Sequence, residues 1–223
     1  MVHIPAGTYL VPEKPVFPLR LGDNSRLHHK TLPGFWIDQT EITVAQYKRF
    51  NPDYDETVYN MGEECPECPA MAVDWLYAGR YCQWAGKRLP TEEEWEAAAR
   101  GYSDYKYPWG NQPLDKSANL LGGTDGFEGP APAGSFPRGA SPAGVMDMIG
   151  NVWEWVSTRI VMAPLTEPEP RLQNDSPYLV KGGSWRSPPR MAAISYRNLV
   201  DPKMQNPSFG FRCAKSADSA DFQ

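Results

Sequence analysis

Proline constrains this chain more than any other residue. Twenty-three prolines in 223 residues are about twice the usual share. Each removes a backbone donor and interrupts a helix or a central strand. Nineteen glycines add turns. A helical bundle, a coiled coil and a doubly wound sheet are therefore excluded. Loops in such a chain need large apolar side chains to hold them down, and eight tryptophans supply them. Hydrophobic residues at 41% and charged residues at 22% exclude wholesale disorder. The length suits one domain with a core that needs no staples. A net charge of -5 argues against a nucleic-acid partner. No apolar run is long enough for a membrane span.

Local patterns place few regular elements. Met1 to Thr31 reads as an edge strand and then an extended, proline-bearing loop. PGFWIDQTEI reads as a strand with Phe35, Ile37 and Ile42 apolar. Val44, Tyr47 and Phe50 fall at helical spacing behind Thr43, and Asn51-Pro52 ends that helix. Residues 51–70 form an acidic loop that holds Cys65 and Cys68. In DWLYAGRYCQWAGKR, Trp75, Ala78, Cys82 and Ala85 make a helical stripe that Gly86 terminates. TEEEWEAAAR carries the plainest helix signal. Thr91 and Glu94 form a capping box, Glu92 and Glu93 sit in the positive first turn, and Arg100 sits in the negative last turn.

Beyond Gly101, turn chemistry dominates: YPWG, GGTDGFEG, PAPAGSFPRGASPAG and LTEPEPRLQNDSPY. Short strands are expected at 151–157, 178–185 and 210–214. Trp84, Trp95, Trp109, Trp153 and Trp155 are expected in the core, and Arg88 is expected to tie a loop to a carboxylate. The fold class is α+β. One domain spans 1–223, with its core from about 2 to 214 and a disordered tail from 215.

Seven blocks occur in order: IPAGTYL, FWIDQTEITVAQYKRF, WAGKRLPTEEEWEAAARG, YPWG, GVMDMIGNVWEW, VKGGSWR and FGFRCA. Together they resemble the formylglycine-generating enzyme family, also called sulfatase-modifying factors, from Val2 to Ala214. The resemblance implies a single-domain variant of the C-type lectin fold, low in regular structure. It also implies a structural disulfide between Cys82 and Cys213. Enzymes of this family oxidise a substrate cysteine with oxygen, using two copper-binding cysteines five residues apart after the GGS block. The matching positions here are Ser187 and Ala192. A hydroxyl and a methyl do not replace a soft thiolate pair for copper(I). Neither formylglycine generation nor bound copper is expected.

Cys65 and Cys68 are spaced for a local disulfide loop, half a zinc site or a redox pair. A closed zinc site needs two more ligands, and His3 and the adjacent His28 and His29 are poorly placed to give them. Pro66 and Pro69 favour the loop staple.

Two segments are rich in short oxygen-bearing side chains: Asn119-Leu120 with Asp125 and Phe127, and Asp147 to Glu154. Calcium takes six to eight hard oxygen ligands, and glycines let carbonyls turn inward. On spacing alone these are Asx turns and a buried glutamate paired with an arginine. The resemblance shifts the reading to two structural calcium sites. One uses the side chains of Asn119 and Asp125 with the carbonyls of Leu120 and Phe127. The other uses Asp147 and Glu154 with the carbonyls of Gly150 and Val152.

The resemblance also places a ligand groove beside the GGS block, at Ser184, Trp185, Arg186, Ser187, Arg190, Tyr196, Arg197 and Asn198. Arginines and aromatics suit a peptide, a sugar or an anion. The alternative is that Arg197 and Arg212 are internal structural arginines. Three functions follow: a cysteine-less binding or accessory module, a divergent oxidoreductase of the family, or a sensory domain of a larger chain. The first is expected, with a peptide, protein or small molecule as partner. The cysteine pairing leans towards an exported setting. MVHIPAGTYL shows no leader sequence and leans against it.

Overall fold

Among the described residues, strands are short and divided among three small sheets, in keeping with the many prolines. The computed structural model describes residues 1–14, 26–122, 125–160 and 177–217. Strand β1 (Val2–Ile4) pairs with β4 (Phe35–Ile37), which pairs in turn with β9 (Ala214–Ser216). Strand β2 (Gly7–Pro12) pairs with β3 (Leu27–Leu32). The largest sheet has the order β7-β6-β5-β8. It comprises β5 (Trp153–Arg159), β6 (Tyr178–Lys181), β7 (Asn198–Val200) and β8 (Phe209–Gly210). All its pairings are antiparallel except β5 with β8.

Several boundaries differ from expectation. The loop expected before Thr31 ends in β3, because its residues find a partner in β2. The strand expected at 178–185 stops at Lys181, where Gly182 and Gly183 turn with φ of +91° and +82°. A Cβ on Gly182 would meet Met148 O at 3.0 Å, so only glycine fits this turn. The strand expected at 210–214 is two separate pieces, β8 and β9. Lys215 and Ser216 are not tail, since they pair with Trp36 and Phe35. The tail beyond residue 217 and most of LTEPEPRLQNDSPY lie outside the described residues.

Three α-helices form among the described residues. Helix α1 (Val44–Lys48) is capped by Thr43, with Gln46 closing a capping box. Helix α2 (Trp75–Trp84) is capped by the Asp74 carboxylate, which accepts from Tyr77 N. Helix α3 (Glu92–Arg100) carries the capping box of Thr91 and Glu94. Arg88 grips Glu94 with two hydrogen bonds of 2.6 and 2.7 Å, the loop tie expected of it.

Among the described residues two apolar clusters fill the interior. One gathers Ile37, Trp95, Met148 and Leu179, and the other Tyr47, Tyr81, Trp155 and Phe211. A Cys82–Cys213 disulfide crosses the second cluster. Trp84 departs from expectation: it is 51% exposed, at the rim of the ring contacts between Phe50 and Tyr81.

The inward face of α3 is charged. Lys181 Nζ lies 2.7 Å from Glu96 and 3.3 Å from Glu92. Arg197 donates two hydrogen bonds to Glu92, at 2.6 and 2.9 Å. Arg100 donates to Glu96 from one turn along the helix. All five side chains are buried to within 4% of completely. Breaking such a cluster leaves uncompensated charge in a low dielectric. Glu96→Leu should cost about 3–5 kcal/mol of stability in urea unfolding. A loss near zero would mean that the cluster is not a determinant of the fold.

Candidate ligand groove and buried acid cluster

The groove begins where β6 ends. After the two-glycine turn, Ser184 and Ser187 close a tight loop. Ser187 N donates to Ser184 O at 2.7 Å, and Ser184 N donates to Ser187 Oγ at 3.0 Å. The two hydroxyls lie 3.2 Å apart, and Arg186 N donates to Ser184 Oγ at 3.3 Å. Both serines are buried, yet both line a cavity of about 330 Å³. Trp153 and Phe209 supply its apolar wall, from adjacent strands. Asn198, Asn206 and Arg186 supply polar atoms.

Of the residues expected in the groove, Ser184, Arg186, Ser187 and Asn198 line the cavity. Arg197 does not. It is 4% exposed and committed to Glu92, so it is a structural arginine. Tyr196 packs on Trp153 instead of facing the cavity. Trp185 lies under the Arg186 guanidinium, 4.3 Å from its ring centroid. Arg190 is exposed on a single 3-10 turn. Ala192 is fully buried among apolar residues. All four cysteines are oxidised, as Cys65–Cys68 and Cys82–Cys213. The C-x-x-C pair is therefore a loop staple. Its loop receives N–H donors from Val44 and Ala45 at the start of α1.

Behind the sheet, three carboxylates surround one guanidinium. Arg212 is fully buried and binds both oxygens of Glu154, at 2.6 and 2.7 Å. Trp95 Nε1 also donates to Glu154, at 2.8 Å. Burial works against the arginine's charge, but Glu154, Glu41 and Asp147 outweigh it and hold its pKa above the ordinary value. Asp147 accepts from Gly134 N at 2.5 Å through one oxygen, while the other is buried without a donor. Glu41 accepts from Asn151 Nδ2 at 3.1 Å and likewise keeps one orphaned, buried oxygen. Burial first, and then the facing Asp147 carboxylate, pushes the Glu41 pKa well up. Burial also raises Asp147, against the pull of the Gly134 N–H and Arg212.

These contacts test the expected cation sites. At the second site the donor-free oxygens belong to Asp147 and Glu41, whereas Glu154 is taken up by Arg212. Two orphaned carboxylate oxygens supply two of the six to eight ligands a hard cation takes, and among the described residues no group of three or more acidic, histidine or cysteine side chains gathers as a metal site. Sequence reading missed Glu41, because no local pattern places it opposite a loop more than one hundred residues away. Asp147 and Asn151 adopt positive φ of 56° and 61°, as does Gly150 at 84°. A Cβ on Gly150 would stand 2.3 Å from Asn119 O, so this glycine lets the two oxygen-rich segments meet. At the first site Asp125 accepts from Leu120 N and Phe127 N, and Asn119 donates to Gly129 O and Asn151 Oδ1. Those contacts are satisfied without a cation.

The chain belongs to the sulfatase-modifying factor enzyme 1-like domain family, which its residues 1–217 match. Its fold is the C-type-lectin-like fold of that family. It is 37% identical over 165 residues to the inactive C-alpha-formylglycine-generating enzyme 2 of Mus musculus, covering 68% of this chain and 50% of that one. It is 33% identical over 198 residues to the hercynine oxygenase of Mycolicibacterium smegmatis, covering 82% and 46%. The chain thus spans about half the length of these curated relatives. The solved structure of PvdO from Pseudomonas aeruginosa superposes with a TM-score of 0.72 at 25% identity, covering 96% of this chain and 93% of that one.

Surplus buried charge predicts that Glu41→Gln stabilises the metal-free protein. Glutamine keeps the Asn151 contact and removes one carboxylate. In chelator at neutral pH, urea unfolding should show a gain of about 1–3 kcal/mol. The gain should vanish below about pH 4, where these carboxyls are protonated in the unfolded chain as well as in the folded one. A loss of stability at neutral pH would contradict the surplus.

Proposed function

We propose that this domain is a calcium-stabilised binding or accessory module that takes a peptide, protein or small-molecule ligand in the groove beside Ser184. The observation that carries the reading is the chemistry at Ser187 and Ala192. The family resemblance places the copper-binding cysteines of the family's oxidases at these positions, and here they offer a hydroxyl and a methyl. No thiol elsewhere compensates, since all four cysteines are paired with each other. The similarity to a mammalian relative named as inactive supports the same reading.

The proposed calcium is structural. Asp147 and Glu41 would hold it at the second site, with the carbonyls of Gly150 and Val152 and with Glu154 held beside them by Arg212. A second ion at Asn119, Leu120, Asp125 and Phe127 is not required for the stability of that loop, since its side-chain contacts close without one. A cation that binds the folded form alone stabilises it by mass action, by about 2.7 kcal/mol at 100 times Kd. The domain's setting is a larger chain or complex, and its paired cysteines favour an oxidising compartment.

A second reading is a divergent oxidoreductase, which the similarity to hercynine oxygenase favours. Such chemistry needs a redox metal or cofactor. The test is elemental analysis after equilibration with calcium and iron and removal of excess ion, beside oxygen uptake. The binding reading expects calcium near one or two ions per chain, no stoichiometric iron and no oxygen uptake. Stoichiometric iron with oxygen uptake would replace it with the second reading.

A further inference from the structure

The groove's polar atoms do not balance. Ser184 and Ser187 own two hydroxyl hydrogens between them. One is used in the bond between the two oxygens, 3.2 Å apart. Ser184 N and Arg186 N already donate into these oxygens, at 3.0 and 3.3 Å. Among the described residues no further acceptor meets the pair, so one hydroxyl hydrogen is left over. Both serines line the cavity while being only 1% and 4% exposed, so the spare hydrogen's partner is whatever occupies the cavity: water, or a ligand acceptor that displaces it.

Charge is one-sided as well. Arg186 lines the cavity, and among the described residues no aspartate or glutamate does. Among the described residues no carboxylate pairs with Arg186; its guanidinium rests on the Trp185 ring. Stacking fixes the guanidinium plane and leaves its N–H edges free for a partner. The apolar lining comes from Trp153, Met191 and Phe209. A cavity of about 330 Å³ is at the small end of ligand sites.

We infer that the groove takes a monocarboxylate with an apolar body, its carboxylate received by the spare hydroxyl hydrogen and Arg186, and its body laid on Trp153 and Phe209. The inference rests on the groove being the domain's binding site and adds the class of ligand. A free aryl acid and the C-terminus of a peptide share this chemistry.

The probes are 3-phenylpropionate, acetyl-Gly-Gly-phenylalanine and the uncharged amide of the latter, with tyramine as the cationic control. Calorimetry gives affinity, and amide shifts at Ser184 to Ser187 report location. At least one of the two acids should bind about tenfold or more tighter than the amide and tyramine. The tighter of the two acids identifies the source. Arg186→Gln, an exposed position, should abolish the preference for acid over amide. Ser187→Ala should weaken the acid by about tenfold. Equal binding of acid and amide with groove shifts would overturn the carboxylate inference and leave the groove standing. So would preferred binding of tyramine. Failure of all four probes to shift the groove residues would overturn both.

Discussion

Buried charge on α3 sets the position of everything that matters for binding. Glu92 and Glu96 lie one turn apart on the inward face of a well-capped helix. Lys181, which they hold, is the last residue of β6 and directly precedes the Gly-Gly-Ser turn. Arg197, which Glu92 holds, directly precedes β7 and the groove residue Asn198. Both approaches to the groove are therefore pinned to one helix by ion pairs. Loops alone give little packing to fix a backbone, and buried pairs substitute geometry for packed area.

The same device recurs at Arg212. Its guanidinium joins Glu154 on β5 to the carbonyls of Asp38, Gln39 and Met146, segments with no regular structure of their own. Glu41 and Asp147 are then drawn into a space with more negative than positive charge. A domain with short strands and many turns gains cohesion this way, and a cation at the orphaned oxygens would complete the neutralisation.

Legibility in the sequence followed the range of each interaction. Helix α3 was readable to within one residue, because its capping box and terminal charges are local. The fold and the Cys82–Cys213 disulfide were readable through a family resemblance and not through composition. Strand ends were misplaced wherever glycines turned the chain, as at Gly182, or where the pairing partner was remote, as for Lys215 with Trp36. The family resemblance placed Arg197 in the groove with an internal structural role as the alternative, and the tertiary structure decides for the alternative by turning its guanidinium towards Glu92. Glu41 carried no local signal. Its role depends on Asn151, Asp147 and Arg212, which reach it from distant segments.

The family scaffold persists here with a cavity-lining hydroxyl at Ser187 and a buried methyl at Ala192, where the family resemblance places two metal-binding thiols. Copper(I) affinity measures this directly, by competition with a chromophoric chelator under reducing conditions that leave the disulfides intact. The account predicts no competition by the natural chain and stoichiometric copper(I) binding by the Ser187→Cys, Ala192→Cys double variant, since two soft thiolates suit that ion. Stoichiometric copper(I) in the natural chain would contradict the account.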